Sequence, residues 1–315
     1  MNILLISFSG TGNTAKCGAF IHDALINKGH SVTHYIYSID NEFKYNLGDY
    51  DLIGIGYPIH AFNIAKPFLN FIKKFPKSNN HQKYFIYKTS GEPFWMNNSS
   101  SVSIVRKMKR KGYQKLSEYH FLMPYNIVFR YKDEVVRQMD LYLKPLCYAY
   151  VDSLFSDKPP LIRYGIGSRI FSFLFKIEWI CAPINKLFIH SKKNCTHCNM
   201  CIKNCPMQAL YVNKKGVIKT TSKCAVCMRC TYNCPNNALH YGFLNLWVVN
   251  PPYQYKKIHE KFKDQPLYIN KNTKGYFKLF NKYFEKQNKF LLEHGYNIPN
   301  EDFKSYKERL VPVKK

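Results

Sequence analysis

Acidic side chains are scarce in this 315-residue chain: 20 Asp and Glu stand against 47 Lys and Arg, a formal charge of +27. Such a surface excludes an acidic carrier. It implies anionic partners, held by an attraction that salt weakens. Nucleic acid is disfavoured, because no recognition motif accompanies the charge. Long apolar runs are also missing. The uncharged stretch Cys230–Tyr255 contains Pro235, Asn236, Asn237, Pro251 and Pro252 and is no membrane span. The first residues lack a basic leader region and their apolar run is short, which gives the expectation of a cytoplasmic protein. There is no P-loop lysine and no Gly-x-Gly-x-x-Gly, so a nucleoside triphosphate or a dinucleotide is disfavoured. No constellation of acid, base and nucleophile stands out, which assigns substrate chemistry to a partner.

What the chain does have is cysteine in a repeated spacing. Eight of its eleven cysteines fall into Cys195-x-x-Cys198-x-x-Cys201-x-x-x-Cys205-Pro206 and Cys224-x-x-Cys227-x-x-Cys230-x-x-x-Cys234-Pro235, offset by 29 residues. The match extends to Asn204 and Asn233 and to Ala209-Leu210 and Ala238-Leu239. An internal repeat of this kind implies a pseudo-symmetric small domain. This is the run that wraps a 4Fe–4S cube, and its duplication implies two cubes. Structural zinc uses Cys-x-x-Cys pairs, often with histidine, and does not match three cysteines in tandem with a fourth before proline. In two-cluster ferredoxins, which the run resembles, the cysteine before proline serves the other cluster. The resemblance thus implies Cys195, Cys198, Cys201 and Cys234 for one cluster, and Cys224, Cys227, Cys230 and Cys205 for the second. Met200, Ile202, Ala225, Val226 and Met228 would shield them, and His197 reads as a surface residue. Such thiols need reducing, iron-supplied surroundings, as in the cytosol of an anaerobe or microaerophile.

At the other end, Ile3-Leu4-Leu5-Ile6 reads as a buried strand and is followed by Ser7-Phe8-Ser9-Gly10-Thr11-Gly12-Asn13-Thr14 and a helical pattern closed by Gly29. A strand, a Gly/hydroxyl loop and a helix make a phosphate cradle of amides, hydroxyls and a helix N-terminus. Further strands are expected at Ser31–Tyr37, at Leu52–Tyr57 ending at Pro58, at Tyr84–Tyr87 and at Tyr119–Leu122. Helices are expected at 64–75, 99–110 and 133–154, the last with a bend at Pro145. This alternation predicts an α/β fold, a doubly wound parallel sheet, followed by a small α+β cluster domain.

Ser9-Gly10-Thr11-Gly12-Asn13-Thr14 resembles the FMN-phosphate loop of flavodoxins. The two ends together resemble the flavodoxin–dicluster ferredoxin fusion proteins of anaerobic bacteria over roughly residues 1–242, with Lys88–Pro93 and His120–Asn126 among the matching phrases. The resemblance implies electron transfer with FMN and two 4Fe–4S clusters, and names no substrate. It implies that Ser9 to Thr14 hold the phosphate. A second loop (Tyr57, Pro58, His60, Phe62) and a third (Ser90, Gly91, Phe94, Trp95) would surround the flavin ring. Which aromatic residue stacks stays open. Two alternatives remain: a flavin-dependent reductase of a small acceptor fed by the clusters, and a flavin-free scaffold that delivers the clusters to a larger complex.

The expected organisation is a flavodoxin-like domain (1–157), an apolar helical connector (158–190), a cluster domain (191–242) and a basic C-terminal extension (243–315). The connector is expected to be buried between the two redox domains, with an interfacial membrane segment as its rival. In the extension, Tyr276, Phe280, Tyr283, Phe284 and Leu291 share a helical period opposite Lys278, Lys282, Lys286 and Lys289. A helix packed on the core is preferred there over a docking helix. Cys17, Cys147 and Cys181 read as buried thiols. Two cubes add about −4 and an FMN phosphate about −2, leaving roughly +21. The expected partners are therefore acidic redox proteins, with peripheral membrane contact less favoured.

Overall fold

The computed structural model describes residues 1–299 apart from 79, 182–183, 185–186 and 188. Its first half alternates β1 (Asn2–Ser7), α1 (Asn13–Asn27), β2 (Ser31–Ile36), β3 (Leu52–His60), β4 (Asn63–Ile64), α2 (Lys66–Ile72), β5 (Lys83–Ser90), α3 (Val102–Arg110), β6 (Gln114–Leu122) and α4 (Asp133–Leu154). The sheet runs β2-β1-β3-β5-β6, all parallel, and β4 folds back antiparallel on β3. With that short strand set aside, the order is the 2-1-3-4-5 of the flavodoxin-like doubly wound fold. Ile3, Leu4, Leu5 and Ile6 are fully buried, because a central parallel strand has helices on both faces. Helices α1 and α4 cover one face, α2 and α3 the other. Pro58 does not end β3: it pairs in register with Thr89, and the hairpin to β4 carries the strand to His60.

Lys88 and Glu118 lie inside this layer, both side chains wholly buried, with Nζ 2.8 Å from Oε1. Lys88 also donates to the carbonyls of Asn97 and Asn98, at 3.0 and 2.9 Å. Glu118 further accepts from Ser101, Lys115 and Tyr164. Every proton and lone pair of note is thus occupied, which is the condition for keeping a pair of charges out of water.

After α4 come α5 (Ile166–Leu174) and α6 (Glu178–Cys181), then a second sheet of β7 (Ile189–Ser191), β8 (Leu210–Val212), β9 (Ile218–Thr220) and β10 (Leu239–Tyr241), with α7 (Met200–Lys203) and α8 (Arg229–Tyr232). Each element of the first copy recurs 29 residues later: β7 as β9, α7 as α8, β8 as β10. The antiparallel order β10-β7-β9-β8 exchanges strands between copies, so β7 pairs with β10 and β8 with β9.

The connector departs from expectation. Helix α5 lies against Asn63 and the turn at Trp95–Ser101, and it leaves Ile166, Ile170, Phe173 and Leu174 exposed instead of burying them between the two sheets. The described part of the extension forms α9 (Tyr255–Lys261) and α10 (Lys278–Glu293), which join the core around α4 through Ile258, Phe280, Phe284 and Leu291. Gly295 closes α10 in the left-handed region. Strand β6 is a sheet edge, and unpaired edge groups invite association. Here the connector and the tail cap it: the Glu118 amide donates to the Pro160 carbonyl at 2.9 Å, and the Leu122 amide to the Tyr283 hydroxyl at 3.2 Å. Cys17 and Cys147 are buried with sulfurs 3.6 Å apart. The Cys181 side chain lies outside the described residues. Among the described residues no helix is long and apolar enough to cross a membrane.

Glu118→Gln strands the Lys88 ammonium in the core. Urea denaturation should show a loss of about 3–5 kcal/mol. Lys289→Ala, at an exposed pair with Glu293, should cost less than about 1 kcal/mol.

Candidate functional site: two cysteine sets and the loop beneath them

The cysteine loops fold alike. His197 and Asn199 in the first, and Val226 and Met228 in the second, all have φ between 53° and 60°. Gln208 and Asn237 match as well, at 46° and 45°. Left-handed backbone at a β-branched residue such as Val226 is strained and persists only where its surroundings demand it. Alternating right- and left-handed residues turn successive amides inward and make a nest for negative charge. The Ala209 and Ala238 amides donate to the sulfurs of Cys205 and Cys234 at 3.3 and 3.2 Å, again as a matched pair.

Two cavities result. Cys195, Cys198, Cys201 and Cys234 line one; Cys205, Cys224, Cys227 and Cys230 line the other. They enclose similar space, about 360 and 380 Å³ counting their open sides. Each set therefore draws three cysteines from one copy and one from the other. Among the described residues no three His, Cys, Asp or Glu side chains are close enough to hold one metal ion.

The cavities differ in setting. Cys198 is exposed, and Thr196 and Asn236 line the first cavity. The second is walled by Ile189, Met207, Met228 and Tyr241. Burial pushes the Cys227 thiol up to about 12 and the Cys201 thiol to about 11; those of Cys224 and Cys230 are raised as well. The buried Tyr241 hydroxyl stands beside Cys224 without a partner of normal geometry, a donor aimed at the second set. Its counterpart in the first copy is Val212.

The second cysteine loop sits directly on the Ser9–Thr14 loop. A Cβ on Gly10 would lie 2.5 Å from the Cys227 carbonyl oxygen, so only glycine admits the contact. Arg229 locks it: Nε donates to the Gly10 carbonyl at 2.5 Å, one terminal nitrogen to Ser9 at 2.6 Å and the other to Asn204 at 3.1 Å. The sequence reasoning missed Arg229, which looked like one cation among 47 Lys and Arg. Its place next to Met228, outside the repeat's shared letters, was the only signal.

The Ser9–Thr14 loop joins β1 to α1. Gly12 precedes α1 with φ 107° and nothing near its Cβ position, so the tip is open. The opening amides of α1 have no partner within the helix. Ser9 accepts from the Ala15 amide at 3.2 Å, and the Thr14 hydroxyl lies 2.7 Å from that of Thr89. Asn13 bridges the Pro124 carbonyl and Tyr255. Asn126 donates to Thr11, while its own amide oxygen is buried without a partner.

The second and third loops are arranged otherwise than expected. The Tyr57 ring is fully buried in the core with its hydroxyl 3.1 Å from Ser100, which removes it from any flavin face. Gly91 packs under Tyr125, whose ring is 2.4 Å from where a Cβ would stand. Phe62 and Trp95 both turn to Phe171 of α5, at 6.1 and 5.6 Å between centroids. Pro58 is half-buried in β3. His60 is half-buried and desolvation holds it at about 4, with Glu178 4.0 Å away. Ser90 lies 2.7 Å from His120, which burial holds at about 3. Phe171 thus stands between the second and third loops.

No family model matches the chain. An uncharacterized protein of Methanocaldococcus jannaschii is 34% identical over 84 residues, 27% of this chain and 54% of that protein. The chain thus spans about half the length of the curated relative it matches. Among solved structures, an archaeal flavodoxin is 14% identical, covering 50% of this chain and all of that one, with a TM-score of 0.36. Oxidised flavodoxin 1 of Bacillus cereus is 13% identical over 50% of this chain and 99% of its own (TM-score 0.37). General stress protein 14 of Treponema denticola, solved with FMN, is 13% identical over 49% and 99% (TM-score 0.37). The fold assignment rests on the strand order.

Gly10→Ala should push the second cysteine loop off its seat, and Arg229→Ala should remove three carbonyl contacts. Each should lower stability by about 1.5–3 kcal/mol in denaturant titration. Burial raises Glu178 from 4.5 to about 7, so its fold favours the proton and loses stability as pH climbs through that window. Glu178→Gln should stabilise by up to about 3 kcal/mol near pH 8 and be neutral near pH 4, as read by melts at both values.

Proposed function

We propose that this chain is an electron-transfer protein carrying two 4Fe–4S clusters, with FMN phosphate held at the Ser9–Thr14 loop. One observation carries the proposal: eight cysteines form two sets of four, and each set borrows one member from the other copy. The nests at His197–Asn199 and Val226–Met228 supply the amides that such thiolate cages take. When bound, the clusters supply single-electron exchange and FMN the interchange of one- and two-electron steps.

The residues then have distinct tasks. Cys205 and Cys234 tie the sets together across the seam. Arg229 and Gly10 hold the second set against the phosphate loop, making it the inner station. Exposed Cys198 marks the first set as the outer one, next to solvent. The basic exterior, with exposed Lys192 and Lys193 beside Cys195, would steer an acidic redox partner to that port. Direct reduction of a small acceptor needs open space over the flavin ring, and the contacts of Phe171 with Phe62 and Trp95 weigh against it. The same ring, with buried Tyr57, favours a second reading: a flavin-free scaffold presenting two clusters.

Anaerobic purification with iron, sulfide and released-flavin assays separates these. About eight irons and eight sulfides per chain are expected. Stoichiometric FMN supports the first reading; full clusters with no flavin leave the scaffold. Zinc in place of iron overturns both.

A further inference from the structure

Helix α5 faces the wrong way for a helix packed on a core. Its serines point inward: the Ser168 hydroxyl is 2.6 Å from that of Ser99, and Ser172 donates to the Asn63 amide oxygen at 2.8 Å while accepting from its amide nitrogen at its carbonyl. Four of its five large apolar residues point to water, Phe171 turning instead to Phe62 and Trp95. Ile166 is 80% exposed, Ile170 52%, Phe173 70% and Leu174 59%, and Ile177 in the turn beyond is 61% exposed. These positions, spaced by four, three, one and three, form one stripe at helical period. An apolar stripe of that size facing solvent marks an interaction surface.

The rim of the stripe is cationic. From 158 to 178 the sequence has Lys158, Arg163, Arg169 and Lys176 against one acid, Glu178, whose side chain lies toward His60 and is only 25% exposed. Arg106 from α3 stands near Lys176, and Lys109 and Arg110 are exposed at the end of α3. The Lys176 ammonium itself lies 5.7 Å from the Phe173 ring and 5.5 Å from that of Trp179.

We propose that α5 and the turn to Ile177 form a membrane-surface anchor, the stripe seated among the acyl chains of an anionic bilayer and the arginine and lysine rim on its headgroups. Nine residues rise only about 13 Å, so the segment lies on the bilayer and does not cross it. Charge complementarity selects this occupant. A second copy would bring an identical cationic rim against the first, in a chain of formal charge +27. The anchor lies at the carboxyl edge of the first sheet, held by Asn63 and Ser99 rather than by the cysteine loops.

Sedimentation of the full chain with vesicles tests it. The chain should pellet with phosphatidylcholine vesicles containing phosphatidylserine, release in high salt, and stay in solution with phosphatidylcholine alone. Ile170→Ser with Phe173→Ser, both at exposed sites that leave the melt unchanged, should weaken binding at least about tenfold. Arg163→Ser and Arg169→Ser should each weaken it about fivefold. Failure to pellet, or equal pelleting by the serine variant, overturns the proposal. So does a dimer in sedimentation velocity that the same serine substitutions dissolve, since the stripe would then be covered by a second copy.

Discussion

Cys205 and Cys234 each lie across a seam from the three cysteines that precede them in sequence. Neither copy of the repeat completes its set of four alone, so the second sheet has a reason to be exchanged, β7 on β10 and β8 on β9. Strand exchange and cysteine exchange express one constraint. Once two half-sites are built to close each other, the loops, the left-handed residues and the N–H to sulfur bonds recur at the same offset. The two cavities are then alike in their four cysteines and unlike in the residues around them.

The surroundings come from the larger sheet. Cys227 meets Gly10 with no space for a methyl group between them, and Arg229 spans the contact to three carbonyls. The flavodoxin-like layer acts as a rigid seat, kept so by the saturated Lys88–Glu118 cluster and by the capping of β6 from Pro160 and Tyr283. The inner set thus rests on ordered backbone at the carboxyl edge of the strands, and the outer set reaches solvent.

Much of this could be read from residue order, because the relevant signals are local. Consecutive apolar residues 3–6 announce a central strand, the α4 limits appear in the pattern of 133–154, and the cysteine spacing with its 29-residue echo predicts both copies. The assignment of each fourth cysteine to the other copy's set came from a resemblance and belongs to the proposal. What could not be read were choices of partner. The α5 stripe looked buried, since period tells which residues share a face and not whether water or protein meets it. Tyr57 looked like a loop aromatic because nothing local distinguishes a strand residue pointing into the core from one at the rim. Arg229 was one cation among many until the backbone of residues 9 and 10 came beneath it. Each miss concerns a contact between segments far apart in sequence, where side-chain type alone carries little information.

The positive charge gains a more specific sense from the geometry. It borders two separate features, the outer cysteine set and the α5 stripe, and an anionic environment would be favourable at both. The central claim concerns the cysteines, and diffraction at the iron absorption edge from anaerobically grown crystals addresses it most directly. The account predicts two compact four-iron anomalous peaks, one bound by Cys195, Cys198, Cys201 and Cys234 and the other by Cys205, Cys224, Cys227 and Cys230. Single-metal peaks, or a cluster bound by four cysteines of one copy, would contradict it.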